Sequence, residues 1–167
     1  MSDPAPVLGL DPGSRATGYG LVAPGPGGRG LTLVAAGTIR CDPKAPLAGR
    51  LLEIHRGLGE MIYRFRPHQV AVEGLFHAKN ARSALVLGQA RGVALLAAAQ
   101  AGLEVFEYPP ASVKMALVGN GRAAKEQVRA MVKRLLGQEP PGGLDASDAL
   151  ALAITHLHSR HLKNQGI

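Results

Sequence analysis

Short apolar runs alternate with longer amphipathic stretches along the chain, and this alternation predicts a mixed α/β domain. The runs Val7–Asp11 and Gln69–Glu73 are mostly apolar and each ends on a carboxylate, as expected for two buried strands. Between them, apolar residues recur at helical spacing from Leu47 to Phe65 with charged residues opposite, which predicts a long helix ended by Pro67. Further strands are predicted over 17–22, 31–39 and 104–108, and further helices over 80–101, 112–117, 125–136 and 144–158.

The order of these elements predicts one five-stranded mixed sheet flanked by helices. The first three strands are joined by short turns and form an antiparallel meander. The strand over 69–73 is reached through a long helix, so it most simply lies parallel to the first strand, with Asp11 and Glu73 together at one edge. A chain of 167 residues with 46% hydrophobic content suits a single domain over 1–167, with loose tails expected at about 1–6 and 161–167.

The charge composition points to a polyanionic partner. The chain has 19 Lys and Arg against 12 Asp and Glu, which gives a net charge of +7. A basic balance on a small domain favours nucleic acid as the partner, although a protein kept soluble by its charge has the same composition. Cys41 is the single cysteine, so no internal disulfide is expected, and the N-terminus lacks a signal-peptide pattern. We therefore expect a cytoplasmic protein.

Four carboxylates in apolar surroundings are the candidate metal ligands. Asp11 and Glu73 end strands, while Asp145 and Asp148 share one face of the last helix, with Cβ atoms roughly 5–6 Å apart. Hard divalent ions prefer several oxygen ligands, and two such ions can activate a water and stabilise the leaving oxygen of a phosphodiester. Each carboxylate also has a simpler explanation. Asp11 suits an Asp-Pro-Gly turn, and the later pair suits the N-cap and N3 positions of a helix.

Several motifs resemble the RuvC family of Holliday-junction resolvases and span nearly the whole chain in order. They are Leu8-Gly9-Leu10-Asp11-Pro12-Gly13-Ser14-Arg15, Val72-Glu73-Gly74-Leu75-Phe76, Ala78-Lys79-Asn80, Leu87-Gly88-Gln89-Ala90-Arg91-Gly92-Val93 and Asp145-Ala146-Ser147-Asp148-Ala149-Leu150-Ala151. The resemblance implies an RNase H-like fold, a homodimer, and symmetric Mg²⁺-dependent cutting of four-way DNA junctions during recombination and repair. It also implies partnership with the RuvA and RuvB branch-migration proteins.

The same resemblance implies roles for individual residues. The four acids would be catalytic and would bind two Mg²⁺ ions per active site, with Mn²⁺ as an alternative ion. Lys114 and Lys125 would lie near the scissile phosphate, where they could offset developing negative charge. Phe76 would stack on an unpaired base at the junction centre, although an aromatic residue after a strand also suits a core position.

The remaining basic residues divide into two groups. Arg15, Lys79, Arg82 and Arg122 are weaker candidates for contact with the DNA backbone. Arg129 and Lys133 follow Lys125 at four-residue intervals on one helical face, and we expect both to be part of an ordinary solvated face.

The Ala-rich helix over 80–101 carries too many apolar residues for a single buried face. Either burial within the chain or a twofold interface would cover the additional apolar surface.

The sequence therefore predicts a dimeric Holliday-junction endonuclease, and two other classes remain as alternatives. A junction-binding protein without catalysis would keep the basic surface but would not need the four acids. An actin-like or sugar-kinase-type phosphotransferase would use a strand ending in Asp-x-Gly-Ser as an ATP phosphate loop, but such proteins need two domains of this kind.

Overall fold

The computed structural model describes residues 5–74 and 80–164. Within these ranges the strands are β1 Val7–Asp11, β2 Ala16–Pro24, β3 Leu31–Arg40, β4 Gln69–Glu73 and β5 Glu104–Tyr108. The helices are α1 Leu47–Phe65, α2 Ala81–Gln100, α3 Pro110–Val118, α4 Lys125–Leu136 and α5 Gly143–Asn164, and a short 3₁₀ turn covers Pro26–Gly28. In the described part of the chain, no helix is both long enough and apolar enough to cross a lipid bilayer.

The strands form one five-stranded sheet in the order β3-β2-β1-β4-β5. β1, β2 and β3 pair antiparallel, as predicted for a meander. β4 lies parallel to β1, with Leu10 opposite Val72, and β5 lies parallel to β4. The predicted mixed sheet flanked by helices is therefore confirmed, and the carboxyl ends of β1 and β4 meet at one edge.

Each face of the sheet is covered by its own hydrophobic core. On one face, α1 and α2 pack against β1 and β4, with Ile54 and Leu58 of α1 fully buried. On the other face, α5 lies over the centre of the sheet and is supported by α3 and α4, with Leu150 and Ile154 fully buried. α5 continues to Asn164, so part of the expected C-terminal tail is helical. No proline or glycine interrupts the chain between Leu144 and Gln165, and a helix can extend through such a stretch.

α5 rests on β1 and β2 where these strands have no side chains. A Cβ atom placed on Gly9 would overlap the carbonyl oxygen of Ala149, and one placed on Gly18 would overlap the carbonyl oxygen of Asp145. Glycine inside a strand commonly marks such a close approach of another backbone. The contact sets the helix directly on the sheet and fixes the N-terminal end of α5 beside the last residue of β1, since Gly18 is the partner of Asp11 in the β1–β2 ladder.

Candidate active site

Two strand ends and one helix bring the four predicted acids into the same region. Asp11 is the last residue of β1 and Glu73 the last residue of β4, and neighbouring strands in a sheet lie about 4.8 Å apart. Asp145 lies on Gly18, the ladder partner of Asp11, and Asp148 follows one helical turn later. Distant parts of the sequence thus meet at one edge of the sheet.

Burial and like charges make Asp11 the most perturbed acid of the group. Burial in the protein raises the pKa of Asp11 to about 7, and the negative charges of Asp148, Glu73 and Asp145 contribute to the increase, against a smaller lowering by Lys125. All three other acids therefore act on Asp11, which is the behaviour of one electrostatic cluster. Raised pKa values of this kind are concentrated at functional sites.

Glu73 shares the environment of Asp11. Burial raises the pKa of Glu73, and Asp148 raises it further, while Lys125 and Lys114 lower it. The predicted lysines are therefore close enough to the acids to influence their charge.

These residues line a cavity of about 270 Å³ at the sheet edge. Asp11, Glu73 and Asp148 supply its negative wall, and Lys114 and Lys125 supply its positive wall. Its apolar wall is formed by Pro110, Val113, Val128, Ala151 and Leu152. Asp145 is not part of the lining, although its charge contributes to the raised pKa of Asp11. An apolar wall beside opposed charges lowers the local dielectric and strengthens electrostatic interactions with a bound phosphate.

The donor set of the cluster fits a hard divalent cation. Its ligand atoms would all be carboxylate oxygens, and crowded, half-buried carboxylates are stabilised by a cation. Among the residues that the structure describes, no three His, Cys, Asp or Glu side chains converge closely enough to enclose an ion by themselves. Hard ions such as Mg²⁺ usually complete their coordination with water and substrate phosphate, so an open arrangement of carboxylates suits that chemistry.

Asp148 is held by two basic side chains of α4. Its Oδ2 lies 3.6 Å from Nζ of Lys125, and its Oδ1 lies 3.6 Å from Nε of Arg129. The prediction that Arg129 belongs to a solvated helix face is wrong, because only 24% of its side chain is exposed. The same prediction holds for Lys133, which is 59% exposed and pairs with Glu139 at 2.7 Å. The four-residue spacing from Lys125 to Arg129 was the available signal, since it places both on one side of the helix.

Arg91 of α2 lies in one of the motifs that resemble the family, but no role was predicted for it from the sequence. Its Nε and Nη2 donate to the carbonyl oxygen of Glu73, at 3.4 Å each. Nη2 also pairs with Oε2 of Glu107 on β5 at 2.8 Å. The guanidinium therefore ties the end of β4 to both α2 and β5. An arginine within an Ala-rich helix was the only sequence signal of this contact.

The helix-start explanation applies to Asp145 but not to Asp148. α5 begins at Gly143, so Asp145 lies at N3 in the first turn, where the helix dipole favours an acid, whereas Asp148 lies three residues further into the helix. The turn after Asp11 is closed by Thr17, whose hydroxyl donates to the carbonyl oxygen of Gly13 at 3.0 Å.

Three of the other predicted DNA-binding residues lie outside the cavity. Arg15 is exposed in the turn between β1 and β2, Arg82 is exposed in the first turn of α2, and Arg122 is exposed between α3 and α4. Phe76 and Lys79 lie outside the described residues. Their proposed contacts with DNA therefore stay predictions from the sequence.

A five-stranded mixed sheet with acids at the ends of its central parallel strands, and further acids on the helix across it, defines the class of RNase H-like nuclease domains. The family profile described as crossover junction endodeoxyribonuclease RuvC matches residues 7–156. The chain belongs to the RuvC family.

Individual relatives agree with this membership over almost the whole chain. The crossover junction endodeoxyribonuclease RuvC of Azorhizobium caulinodans is 52% identical over 154 residues, which cover 92% of this chain and 90% of that protein. The structure of Thermus thermophilus RuvC superposes with a TM-score of 0.85 at 39% identity, covering 95% of this chain and 96% of that one. A structure of T. thermophilus RuvC in complex with a Holliday junction substrate gives a TM-score of 0.86 at 38% identity, with the same coverage.

Proposed function

We propose that the protein is a Holliday-junction resolvase that makes paired symmetric nicks in four-way DNA junctions by Mg²⁺-dependent phosphodiester hydrolysis. The observation that carries the proposal is the half-buried acid cluster around Asp11, which faces Lys114 and Lys125 across one cavity. The T. thermophilus relative in complex with a Holliday junction substrate supports the choice of substrate. The crossover junction endodeoxyribonuclease family supports the reaction class.

In this proposal Asp11, Glu73, Asp145 and Asp148 would hold two Mg²⁺ ions, for which Mn²⁺ could substitute. When bound, the ions lower the pKa of the attacking water and stabilise the leaving 3′-oxygen. With its pKa raised to about 7, Asp11 would give up a proton when an ion binds near neutral pH.

The lysines and the apolar wall act on the phosphate. Lys114 and Lys125 offset the negative charge that develops on the scissile group, and they act in a cavity whose apolar wall weakens screening. Arg91 keeps the end of β4, and with it Glu73, in place relative to β5.

Junction binding is assigned to the basic surface around the site. Arg15, Arg82 and Arg122 are exposed and would contact backbone phosphates, together with Lys79. Phe76 would stack on an unpaired base. Selectivity would come mainly from junction shape, with a modest local sequence preference. In the cell, this enzyme would act in the cytoplasm with the RuvA and RuvB proteins during recombination and repair.

A homodimer is part of the proposal because symmetric cuts need two identical sites related by an axis. α2 offers a surface for such an interface. Leu85 and Leu96 are 65% and 52% exposed and lie about three helical turns apart, so they share one face of the helix. Large apolar side chains aligned on one helix face are typical of a surface that is covered by a partner.

The test is a cleavage assay on a synthetic four-way junction, with and without Mg²⁺. We expect binding without the ion, and nicks at symmetric positions in two like strands once it is added. Asp11→Asn, Glu73→Gln, Asp145→Asn and Asp148→Asn should each bind the junction and fail to nick it. Binding without nicking by the parent protein would instead identify a non-catalytic junction-binding protein, and tight ATP binding in a titration would favour a phosphotransferase.

A further inference from the structure

Arg129 and Lys125 face the two oxygens of one carboxylate but differ in how they are held. Lys125 Nζ and Arg129 Nε lie 3.6 Å from the two Asp148 oxygens. The Lys125 side chain is 71% exposed and that of Arg129 only 24%. Lys125 is therefore free to move into solvent, whereas Arg129 is confined between α4 and α5.

Among the described residues, one nitrogen of the Arg129 guanidinium lacks a hydrogen-bond partner in this position. Its Nε is buried and makes no hydrogen bond within the described part of the chain, because the nearest Asp148 oxygen is slightly too distant. A buried charge is costly unless it is paired, so Arg129 depends on the negative charge of Asp148. This arrangement places a fixed positive charge against a carboxylate that the proposed function assigns to the divalent ions.

We propose that Arg129 is a positioning residue that, together with Lys125, competes with divalent ions for Asp148, so that loading of the ions releases Lys125 towards the scissile phosphate. The inference rests on the proposed function, since it takes Asp148 as a metal ligand. Arg129 stays in place and weakens ion binding by charge repulsion. Lys125 exchanges its carboxylate partner for a phosphate when DNA is present. Ion loading and substrate binding then support each other. The ions replace Lys125 as the partner of Asp148, and the DNA phosphate replaces Asp148 as the partner of Lys125.

The first test measures Mn²⁺ binding to the DNA-free protein, from the electron paramagnetic resonance signal of free Mn²⁺. Arg129→Gln should bind Mn²⁺ about three- to tenfold more tightly than the parent. A gain in affinity of this size is expected when one positive charge is removed near a divalent ion and the interaction is screened about as strongly as in water. Arg129→Lys should stay close to the parent because it keeps the charge. Unchanged or weaker binding by Arg129→Gln would overturn the proposal.

Lys133→Gln is the matched control. It removes one positive charge from the same helix, one turn further on, at a residue that pairs with Glu139 instead of the acid cluster. We expect its Mn²⁺ affinity to stay within about twofold of the parent, since exposed charges at greater distance are screened. An equal gain in both variants would show a general charge effect and would contradict a specific role for Arg129. Equal circular dichroism and melting temperatures would confirm that the variants are folded.

A second test does not depend on the metal. The Nε–H resonance of Arg129, assigned by its loss in Arg129→Lys, should shift in the metal-free protein when Asp148 is replaced by Asn, and should also shift on addition of Mg²⁺. No shift in Asp148→Asn would refute the pairing. Asp11→Asn separates the two proposals: if it leaves Mn²⁺ binding intact, the metal site itself is misassigned, while the Asp148→Asn resonance still reports on the Arg129 pair.

Discussion

Gly18→Ala tests whether the contact between α5 and β2 sets the geometry of the acid cluster. The new Cβ would overlap the carbonyl oxygen of Asp145 and lie 3.0 Å from its Cβ. Both are parts of a helix end that cannot rotate away as a flexible side chain could. The carbonyl carbon and oxygen of Asp145 would both lie well inside an ordinary nonbonded separation of roughly 3.5 Å from the new Cβ. Restoring that separation requires the start of α5 to move by at least about 1 Å, which separates Asp145 from Asp11.

This displacement has two measurable consequences. Overpacking of this kind costs about 1–3 kcal/mol of unfolding free energy, and each kcal/mol lowers the melting temperature by about 2–4 °C in a chain of this size. A misplacement of about 1 Å at a catalytic centre costs on the order of 100-fold in rate. The assays are thermal unfolding by circular dichroism and single-turnover nicking of a synthetic four-way junction with Mg²⁺.

Gly59→Ala provides the control for Gly18→Ala. Gly59 lies inside α1, and nothing lies within 4 Å of an added Cβ, so we expect a gain of up to about 1 kcal/mol and an unchanged nicking rate. Junction binding without metal should survive in both variants, which separates a displaced site from an unfolded protein. If Gly18→Ala melts and cuts like the parent, the helix–sheet contact does not position the acids.

Three further predictions concern the charge of Asp11 and the exposed face of α2. Because burial raises the pKa of Asp11 from 3.8 to about 7, the folded metal-free protein retains a proton that the unfolded chain loses, and stability falls as the pH rises through that window. Chemical denaturation should therefore show that Asp11→Asn stabilises the metal-free protein more at pH 8 than at pH 5, and an equal effect at both would refute the shift. Mn²⁺ affinity, measured by calorimetry, should fall as the pH drops below about 7, since ion and proton compete for Asp11, and a flat profile would contradict this competition. Leu96→Glu should sediment as a monomer, whereas a dimer of parent stability would place the interface elsewhere.

The strand-end acids were predictable because their signals are local. A short apolar run that ends on a carboxylate indicates a buried strand, and a long helix between two such runs implies parallel pairing. The pairing of Leu10 with Val72 confirms this reasoning for Asp11 and Glu73. The helix that ends before Pro67 was equally predictable, since its periodicity and its terminating signal agree.

The arginines were not predictable because their partners are set by tertiary packing. Arg129 has the same sequence context as Lys133, yet one is inserted between two helices and the other pairs with Glu139 at the surface. Arg91 contacts a main-chain oxygen of another element, for which no side-chain pattern exists. A glycine inside a strand, such as Gly18, commonly marks a close approach of another backbone, but the sequence does not identify that backbone as the one at Asp145.

The contact of α5 with the glycine positions of β1 and β2 has a consequence for how the core sequence can vary within the family. Where a helix rests on side chains, exchanging leucine for valine or methionine alters the gap between layers. Here main-chain atoms meet main-chain atoms at Gly9 and Gly18, so the spacing is set by atomic radii that no substitution elsewhere changes. The surrounding core can therefore drift in composition over evolution while the separation between the strand-borne and helix-borne acids stays constant.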